Sequence, residues 1–217
     1  MTVSAVIPTL NGAATLPALL GALAREIAAR RGLTEIVAID SGSRDGTLEL
    51  LGRSGARVLD LGGGPFGHGS ARNRAAAAAS GEVLLFLTQD VEPCGDGWLP
   101  PLLAAFDDQA VAGAFGRQVP RGAAPEDEFL ARVNYGGRPR RLTRADLGAA
   151  FGPGRTYFSN AFGAVRTYDT APEKVAGIGG DGLNRFLVSI QRICVITYIF
   201  TPETLLKSFP QIGSLFS

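Results

Sequence analysis

The chain has 217 residues, enough for one α/β domain, or one and a half, with a substantial buried core. Its formal net charge of +1 at pH 7 argues against bulk nucleic-acid binding, and no apolar stretch reaches the ~18–20 residues of a transmembrane helix. The two cysteines lie far apart and no signal peptide is evident, so we expect a reduced, cytoplasmic setting.

Apolar runs and helical spacing alternate over the first sixty residues. Strands are predicted at Val3–Ile7 and Glu35–Ile39, separated by a helix at Leu16–Ile27 with one apolar face. A second helix at Leu48–Gly52 and a third strand at Val58–Leu61 follow. This order implies right-handed crossovers and therefore an α/β fold with a mostly parallel central sheet flanked by helices.

Polar residues follow the first two predicted strands: Thr9 and Asn11, after Pro8, follow the first strand, and Asp40 and Ser43 follow the second. In open α/β sheets, ligands bind at the carboxyl ends of the strands. Thr9 and Asn11 could donate hydrogen bonds to such a ligand, and Asp40 could accept them from a base or ribose. Alternatively, Asp40 caps a turn through Ser43.

Two N-caps are predicted for helices in this half of the chain. Asp45 or Thr47 can cap the helix at Leu48–Gly52, and Ser70 can cap a helix at Ala71–Ala79. The small residues of the latter helix predict close packing against the sheet.

A glycine-rich segment, residues 62–73 with the sequence GGGPFGHGSARN, precedes that helix and can approach a ligand closely. It lacks the Lys-Ser or Lys-Thr pair of a Walker motif. Arg72 would lie in the first helical turn, where the macrodipole favours anions and not cations. An arginine at this position is easier to understand if it binds a phosphate or a carboxylate such as Asp90. His68, the single histidine, is either a structural donor or part of the site.

The stretch Val83–Leu87 is an unbroken apolar run, typical of a strand buried on both faces. It ends in Thr88, Gln89 and Asp90, and Pro93 is expected to stop further pairing. Asp90 could hold one face of a Mg²⁺ or Mn²⁺ ion whose other positions are left to water and phosphate oxygens. The alternative is an ordinary turn that contains an aspartate.

Five further segments follow the central strand. Helices are predicted at Trp98–Phe106 and Phe129–Tyr135, and strands at Ala110–Phe115 and Thr156–Ala164. Between them, the segment Arg138–Arg144 holds four arginines. It is either a solvated loop or a clamp for an anionic diphosphate or membrane surface.

Seven short motifs are spread over about residues 3–166. They are Ile7-Pro8-Thr9, residues 39–43 with Asp45, residues 66–69 with Arg72-Asn73, residues 86–90 with Pro93, residues 116–118, Asn134-Tyr135 and residues 158–160. In this order and at these spacings, the chain resembles the family 2 glycosyltransferases of the A-type fold. Within them it is most like the bacterial rhamnosyltransferase branch.

The resemblance implies a Rossmann-like nucleotide-diphospho-sugar transferase fold, with residues 1–166 binding the nucleotide sugar and residues 167–217 on the acceptor side. It implies inverting transfer of rhamnose or a related hexose to a glycan or lipid-linked acceptor, with Mg²⁺ or Mn²⁺, in polysaccharide biosynthesis of the cell envelope. The enzyme would work in the cytoplasm or, through its acceptor, at the inner face of the membrane.

The resemblance also implies residue roles. Asp90 would be the last carboxylate of the metal motif, here Thr-Gln-Asp instead of Asp-x-Asp, with Gln89 near the ribose or diphosphate. Arg72 would lie under the nucleotide, and residues 116–118 along the donor sugar. The full set expected to bind substrate is Pro8, Thr9, Asn11, Asp40, Ser43, His68, Arg72, Gln89, Arg117, Gln118 and Asn160.

The catalytic base of the family comes from a Glu-Asp pair some two dozen residues after the segment that matches residues 158–160. Here that spacing reaches Gly180-Asp181. Asp181 could be the base with the neighbouring Glu lost, or residues 179–182 are only a loop.

The composition changes near the end of the chain, because no alanine follows Ala176 and the resemblance is lost over residues 186–217. A frameshifted, recombined or truncated end would leave a catalytically impaired, nucleotide-sugar-binding remnant. Alternatively the tail has diverged but works, with Phe186–Phe200 packed on the core as a strand or helix.

Two other classes of protein fit less well. A sugar nucleotidyltransferase needs basic residues in a glycine-rich loop after the first strand, and an NAD-binding protein needs G-x-G-x-x-G there. Residues 8–12 provide neither.

Overall fold

The computed structural model describes residues 1–62, 68–108, 111, 113–119, 140–142, 162–166 and 192–200. The strands in these parts are β1 (Val3–Thr9), β2 (Leu33–Asp40), β3 (Arg57–Asp60), β4 (Val83–Leu87), β5 (Glu92–Pro93), β6 (Gly113–Val119), β7 (Arg140–Leu142), β8 (Phe162–Arg166) and β9 (Arg192–Phe200). The helices are α1 (Leu16–Ala28), α2 (Thr47–Arg53), α3 (His68–Ala78) and α4 (Leu99–Leu103), and a 3₁₀ helix (Ala104–Asp107) follows α4.

One mixed sheet joins the described strands in the order β3-β2-β1-β4-β8-β6-β9-β5, and β7 also pairs with β9. The strands β3, β2, β1 and β4 form a parallel block. β8 then runs antiparallel to β4, and β6 is antiparallel to both β8 and β9. The predicted α/β class with a mostly parallel central sheet is confirmed.

The core lies on both faces of the parallel block. All five residues of β4 are buried, which confirms the predicted central strand with its bounds unchanged. One hydrophobic cluster combines inward residues of β1, β2 and β4 with α1 and α4. Residues that alternate with these, such as Val6 and Phe86, are also buried but lie outside the cluster, as expected for the opposite sheet face. α3 packs against β1 and β2 through buried alanines, including Ala71 and Ala75.

The ends of several elements differ from those predicted. Ser70 is not an N-cap, because α3 begins at His68 and a cap residue needs a non-helical backbone. The N-cap position of α2 is Gly46, at φ +91°, so neither predicted residue occupies it. Asp45, one residue earlier, still accepts from the Thr47 N–H of the first turn at 3.2 Å. The predicted helix at residues 98–106 divides into α4 and the 3₁₀ helix.

Two predictions about pairing are also wrong. Pro93 does not stop pairing, since β5 pairs with β9 and aligns Pro93 with Ile193. Proline has no backbone N–H to donate, but it is tolerated in edge strands, and β5 is the last strand in the described order. Residues 140–142 form β7 instead of a loop.

Later elements match the predictions in part. β6 and β8 lie further along the chain than the strands predicted at residues 110–115 and 156–164, and β9 agrees with a strand within residues 186–200. The predicted helix at Phe129–Tyr135 lies outside the described residues. No helix in the described ranges combines the length and apolar character required to cross a bilayer.

Candidate functional site

Three loops meet at one edge of the parallel block. They comprise residues 10–15 after β1, residues 41–46 after β2 and residues 88–91 after β4. Because β1 is parallel to both of its neighbours, the carboxyl ends of all three strands lie at this edge. In open α/β sheets this is the edge where ligands bind.

Asp40 is the centre of the hydrogen-bond network at this edge. Its Oδ1 accepts from Thr9 Oγ1 at 2.9 Å and from Ser43 Oγ at 2.5 Å. Its Oδ2 accepts from the backbone N–H groups of Gly42 and Ser43, at 2.9 and 2.7 Å. Burial acts to raise the pKa of Asp40, but the hydrogen bonds from Ser43, Thr9 and Gly42 outweigh it and lower the pKa below 3.8. The predicted turn cap through Ser43 is confirmed.

Asn11 and Ser43 connect the loop after β1 to the loop after β2. The Asn11 N–H donates to Ser43 Oγ at 2.8 Å, and Asn11 Oδ1 accepts from the Arg44 N–H at 2.9 Å. Asn11 has φ +46°, a left-handed conformation that asparagine tolerates better than most residues. The side chains of Thr9, Asn11 and Ser43 therefore belong to one connected network.

Asp45 and Thr47 make a second connection between the same loops. Thr47 Oγ1 accepts from the Gly12 N–H at 2.8 Å and donates to Asp45 Oδ1 at 2.6 Å, while Asp45 Oδ2 accepts from the Ala13 N–H at 3.0 Å. Hydrogen bonds from Thr47 and Ala13 lower the pKa of Asp45. From the sequence, both residues were expected to cap α2, and Asp45 was also part of one family-like motif. Their i, i+2 spacing is typical of a local Asx turn and gives no sign of the contact with residues 12 and 13.

Gln89 connects the loop after β4 to the loop after β1. Its Oε1 accepts from the Leu10 N–H at 2.9 Å, and its Nε2 donates to the Leu10 carbonyl at 3.0 Å. The next residue, Asp90, is exposed. Within the described ranges, no three or more His, Cys, Asp or Glu residues gather closely enough to hold a metal ion.

Arg72 is buried in α3, with 2% of its surface exposed. Burial lowers its pKa to about 10, so the guanidinium remains protonated at neutral pH. Because α3 begins at His68, Arg72 is the fifth residue of the helix and lies beyond the predicted first turn. The effect of the helix macrodipole falls off within the first turn. The macrodipole therefore gives no argument that Arg72 needs an anionic partner.

Six further residues were predicted to belong to the site. Pro8 is half-buried in β1 and aligned with Ile39. His68 begins α3, and Arg117 and Gln118 lie in β6, but the structure describes the backbone alone at these three positions. Two predicted residues, Asn160 and Asp181, lie outside the described ranges.

Curated proteins with similar sequences include two from Salmonella. The O-antigen chain rhamnosyltransferase RfbN of Salmonella typhimurium is 29% identical over 169 residues, which are 76% of this chain and 52% of that protein. The O-antigen chain rhamnosyltransferase WbaN of Salmonella anatum is 31% identical over 135 residues, which are 61% of this chain and 42% of that protein. This chain therefore spans about half the length of these relatives.

A solved structure with a similar fold is the glucosyl-3-phosphoglycerate synthase of Mycobacterium tuberculosis in complex with UDP. It has a TM-score of 0.50 and 26% identity, over 76% of this chain and 56% of the synthase. The likeness confirms the A-type glycosyltransferase fold. The family model described as Glycosyl transferase family 2 matches residues 4–166, which include all but the first residue of β1, together with β2, β4 and the three connected loops. The chain belongs to glycosyl transferase family 2.

Proposed function

We propose that this chain transfers a sugar from a nucleotide-sugar donor to a glycan or lipid-linked acceptor, with inversion at the anomeric carbon. The observation that carries the proposal is the connected network at the carboxyl edge of β1, β2 and β4, within a family 2 domain. Such a preorganised edge suits a nucleoside diphosphate, because the network fixes the shape of the two loops before binding. The names of the two Salmonella relatives favour rhamnose as the sugar.

In the proposed complex, the nucleotide lies against Thr9, Asn11 and Ser43. Asp40 acts mainly through them, because its carboxylate already accepts four hydrogen bonds from the protein. Arg72, which remains protonated, supplies positive charge beneath the diphosphate. By resemblance to the family, we also assign donor-binding roles to Arg117 and Gln118 for the sugar, and to Pro8, His68 and Asn160.

The residues at this edge fit a divalent metal. Mg²⁺ usually keeps several waters and binds through one or two carboxylates plus substrate phosphates, so it does not need three protein ligands. Asp90 is an exposed carboxylate in the loop after β4 and would hold the ion together with the donor diphosphate. When bound, the metal supplies neutralisation of the negative charge on the leaving nucleoside diphosphate.

The proposed reaction is a direct displacement. The acceptor hydroxyl attacks the anomeric carbon and forms the new glycosidic bond as the bond to the diphosphate breaks. Asp181 takes the proton from the hydroxyl, which requires an approach to about 3 Å. Inversion follows because attack and departure occur on opposite faces of the sugar.

A transfer assay with a panel of sugar nucleotides, in Mn²⁺ and in chelator, tests the proposal. We expect metal-dependent release of nucleoside diphosphate that falls on the order of a hundredfold in Asp90→Ala. Asp96→Ala, which removes an exposed carboxylate that accepts from Arg25 Nε, is the matched control and should retain activity. Asp181→Asn should abolish transfer and leave nucleotide binding intact.

The same assay distinguishes the enzyme from a non-catalytic remnant. Binding of a nucleoside diphosphate without turnover of any donor would indicate a remnant. Failure to bind any nucleoside diphosphate, with or without metal, would refute both.

A further inference from the structure

Gln89 pairs with the backbone of Leu10 through both halves of its side-chain amide. Its Oε1 accepts from the Leu10 N–H at 2.9 Å, and its Nε2 donates to the Leu10 carbonyl at 3.0 Å. The side-chain amide of Gln89 therefore makes the two hydrogen bonds that a neighbouring strand would make, and it satisfies both the N–H and the carbonyl of Leu10. Neither group has a partner in the β1–β2 register, which ends at Thr9 and Asp40.

Gly12 makes room for this pair. A Cβ built at Gly12 would lie 2.6 Å from Gln89 Oε1 and 2.9 Å from Gln89 Cδ, distances that real Cβ contacts do not adopt. The three nearest atoms are all in the Gln89 side chain, which is flexible and can move away. A larger residue at position 12 would therefore push first against the Gln89 amide and displace it from Leu10.

We propose that Gln89 is a positioning residue that fixes the loop after β1 for the nucleotide. It does so by joining that loop to the loop that carries Asp90. The proposal rests on the proposed function only in that a nucleotide binds at this edge. It differs from the role implied by resemblance, in which Gln89 approaches the ribose or diphosphate.

The chemistry of the pair explains why an amide, and not a carboxylate, stands at this position. A carboxylate could accept from the Leu10 N–H, but it has no donor for the Leu10 carbonyl and would place two acceptors together. Gln89→Glu therefore keeps the length and one bond of the pair while it replaces the other with a repulsion. Gln89→Ala removes both bonds.

Hydrogen exchange of the Leu10 amide tests the pair directly and without substrate. A single hydrogen bond of this kind contributes modestly, so we expect exchange at Leu10 to be about threefold to tenfold faster in Gln89→Ala. Gly12→Ala should give a similar increase, since it displaces the amide. Gly21→Ala in α1, where the new Cβ would meet Arg25 Nη1 at 3.7 Å, is the matched control and should leave Leu10 unchanged.

A double-mutant cycle makes the test specific. If Gly12→Ala acts through Gln89, it should add almost nothing to Leu10 exchange in the Gln89→Ala background. Additive effects of the two substitutions, or unchanged exchange at Leu10 in Gln89→Ala, would overturn the proposal. Thermal unfolding identifies any variant that has lost its fold, in which case Gln89→Glu replaces Gln89→Ala in the cycle.

Binding of UDP, GDP and dTDP in the presence of chelator connects the pair to function. We expect about a threefold to tenfold weaker Kd in Gln89→Ala and Gly12→Ala for whichever of these nucleotides binds the wild type. Faster Leu10 exchange with an unchanged Kd would overturn the positioning role. If none of the three binds the wild type, the proposed function fails, and the Leu10 exchange result still decides whether the pair exists.

Discussion

Asp40 directs its carboxylate toward the protein more than toward a ligand. Four hydrogen bonds from Thr9, Gly42 and Ser43 surround a side chain that is 4% exposed. Because these donors favour the charged form, they lower the pKa of Asp40 despite burial. Its main effect on the site is to fix the ends of β1 and β2 and the turn that follows.

The Asp40→Asn variant tests this role. An amide replaces one acceptor with a donor that faces N–H or O–H groups, so we expect the free energy of unfolding at pH 7 to fall by about 2–3 kcal/mol. The lowered pKa means that wild-type Asp40 contributes stability above pH 3.8, and loses it as the pH falls through the pKa of the folded state. The difference between wild type and variant should therefore narrow at low pH.

Urea unfolding at pH 7 and pH 3 provides the measurement, with Asp107→Asn as a control at an exposed carboxylate. A difference that is the same at both pH values would contradict the assigned charge on Asp40.

The residue-level prediction that the structure confirms most clearly is a local one, although the predicted cap at Ser70, which is also local, is wrong. The turn cap of Asp40 through Ser43 needs only residues three positions apart. The bond between Gln89 and Leu10 joins residues that are 79 positions apart, so no local pattern encodes it. The prediction that Arg72 lies in the first helical turn was wrong, because α3 already begins at His68. The composition of residues 62–70 did not indicate that the backbone is helical there.

Among the elements, the loops after β1 and β2 behave as one unit. Thr47 is fully buried and accepts from the Gly12 N–H at 2.8 Å, and Asp45 accepts from the Ala13 N–H. The loop after β1 therefore depends on the first turn of α2 for its shape.

Thr47→Val should separate the two loops. The substitution is nearly isosteric but leaves the buried Gly12 N–H without its acceptor, so we expect a loss of roughly 1–3 kcal/mol in unfolding free energy. Thr47→Ser keeps the hydroxyl and is the matched control, with a smaller loss from one methyl group. Equal losses in both variants, measured by urea unfolding, would show that the hydroxyl does not link the loops.

Elements with strong local patterns were predicted best. β4 has its predicted bounds because five consecutive buried apolar residues are flanked by polar ones. The antiparallel pairs of β8 and β6 were not predicted, because they depend on which strands meet across roughly 50 residues of chain or more. β5 and β7 are too short for a periodic signal.

For the whole molecule, the family match over residues 4–166 covers the parallel block from its second residue onward and extends through β6 to the end of β8. The fold class followed from the strand–helix alternation alone, since right-handed crossovers restrict the arrangement. The division at residue 166 and the base at Asp181 remain predictions, because they concern the part of the chain where the family match ends.

The proposed site is best tested by locating a bound nucleoside diphosphate and its metal ion on the protein. Amide NMR signals should be recorded on titration with Mn²⁺ in the presence of whichever of UDP, GDP or dTDP binds. We expect strong paramagnetic broadening of residues 10–13 and 88–91, much weaker broadening of residues 80–82 on the opposite edge, and loss of broadening in Asp90→Ala. Broadening centred on residues 80–82, or unchanged broadening in Asp90→Ala, would contradict the proposed site.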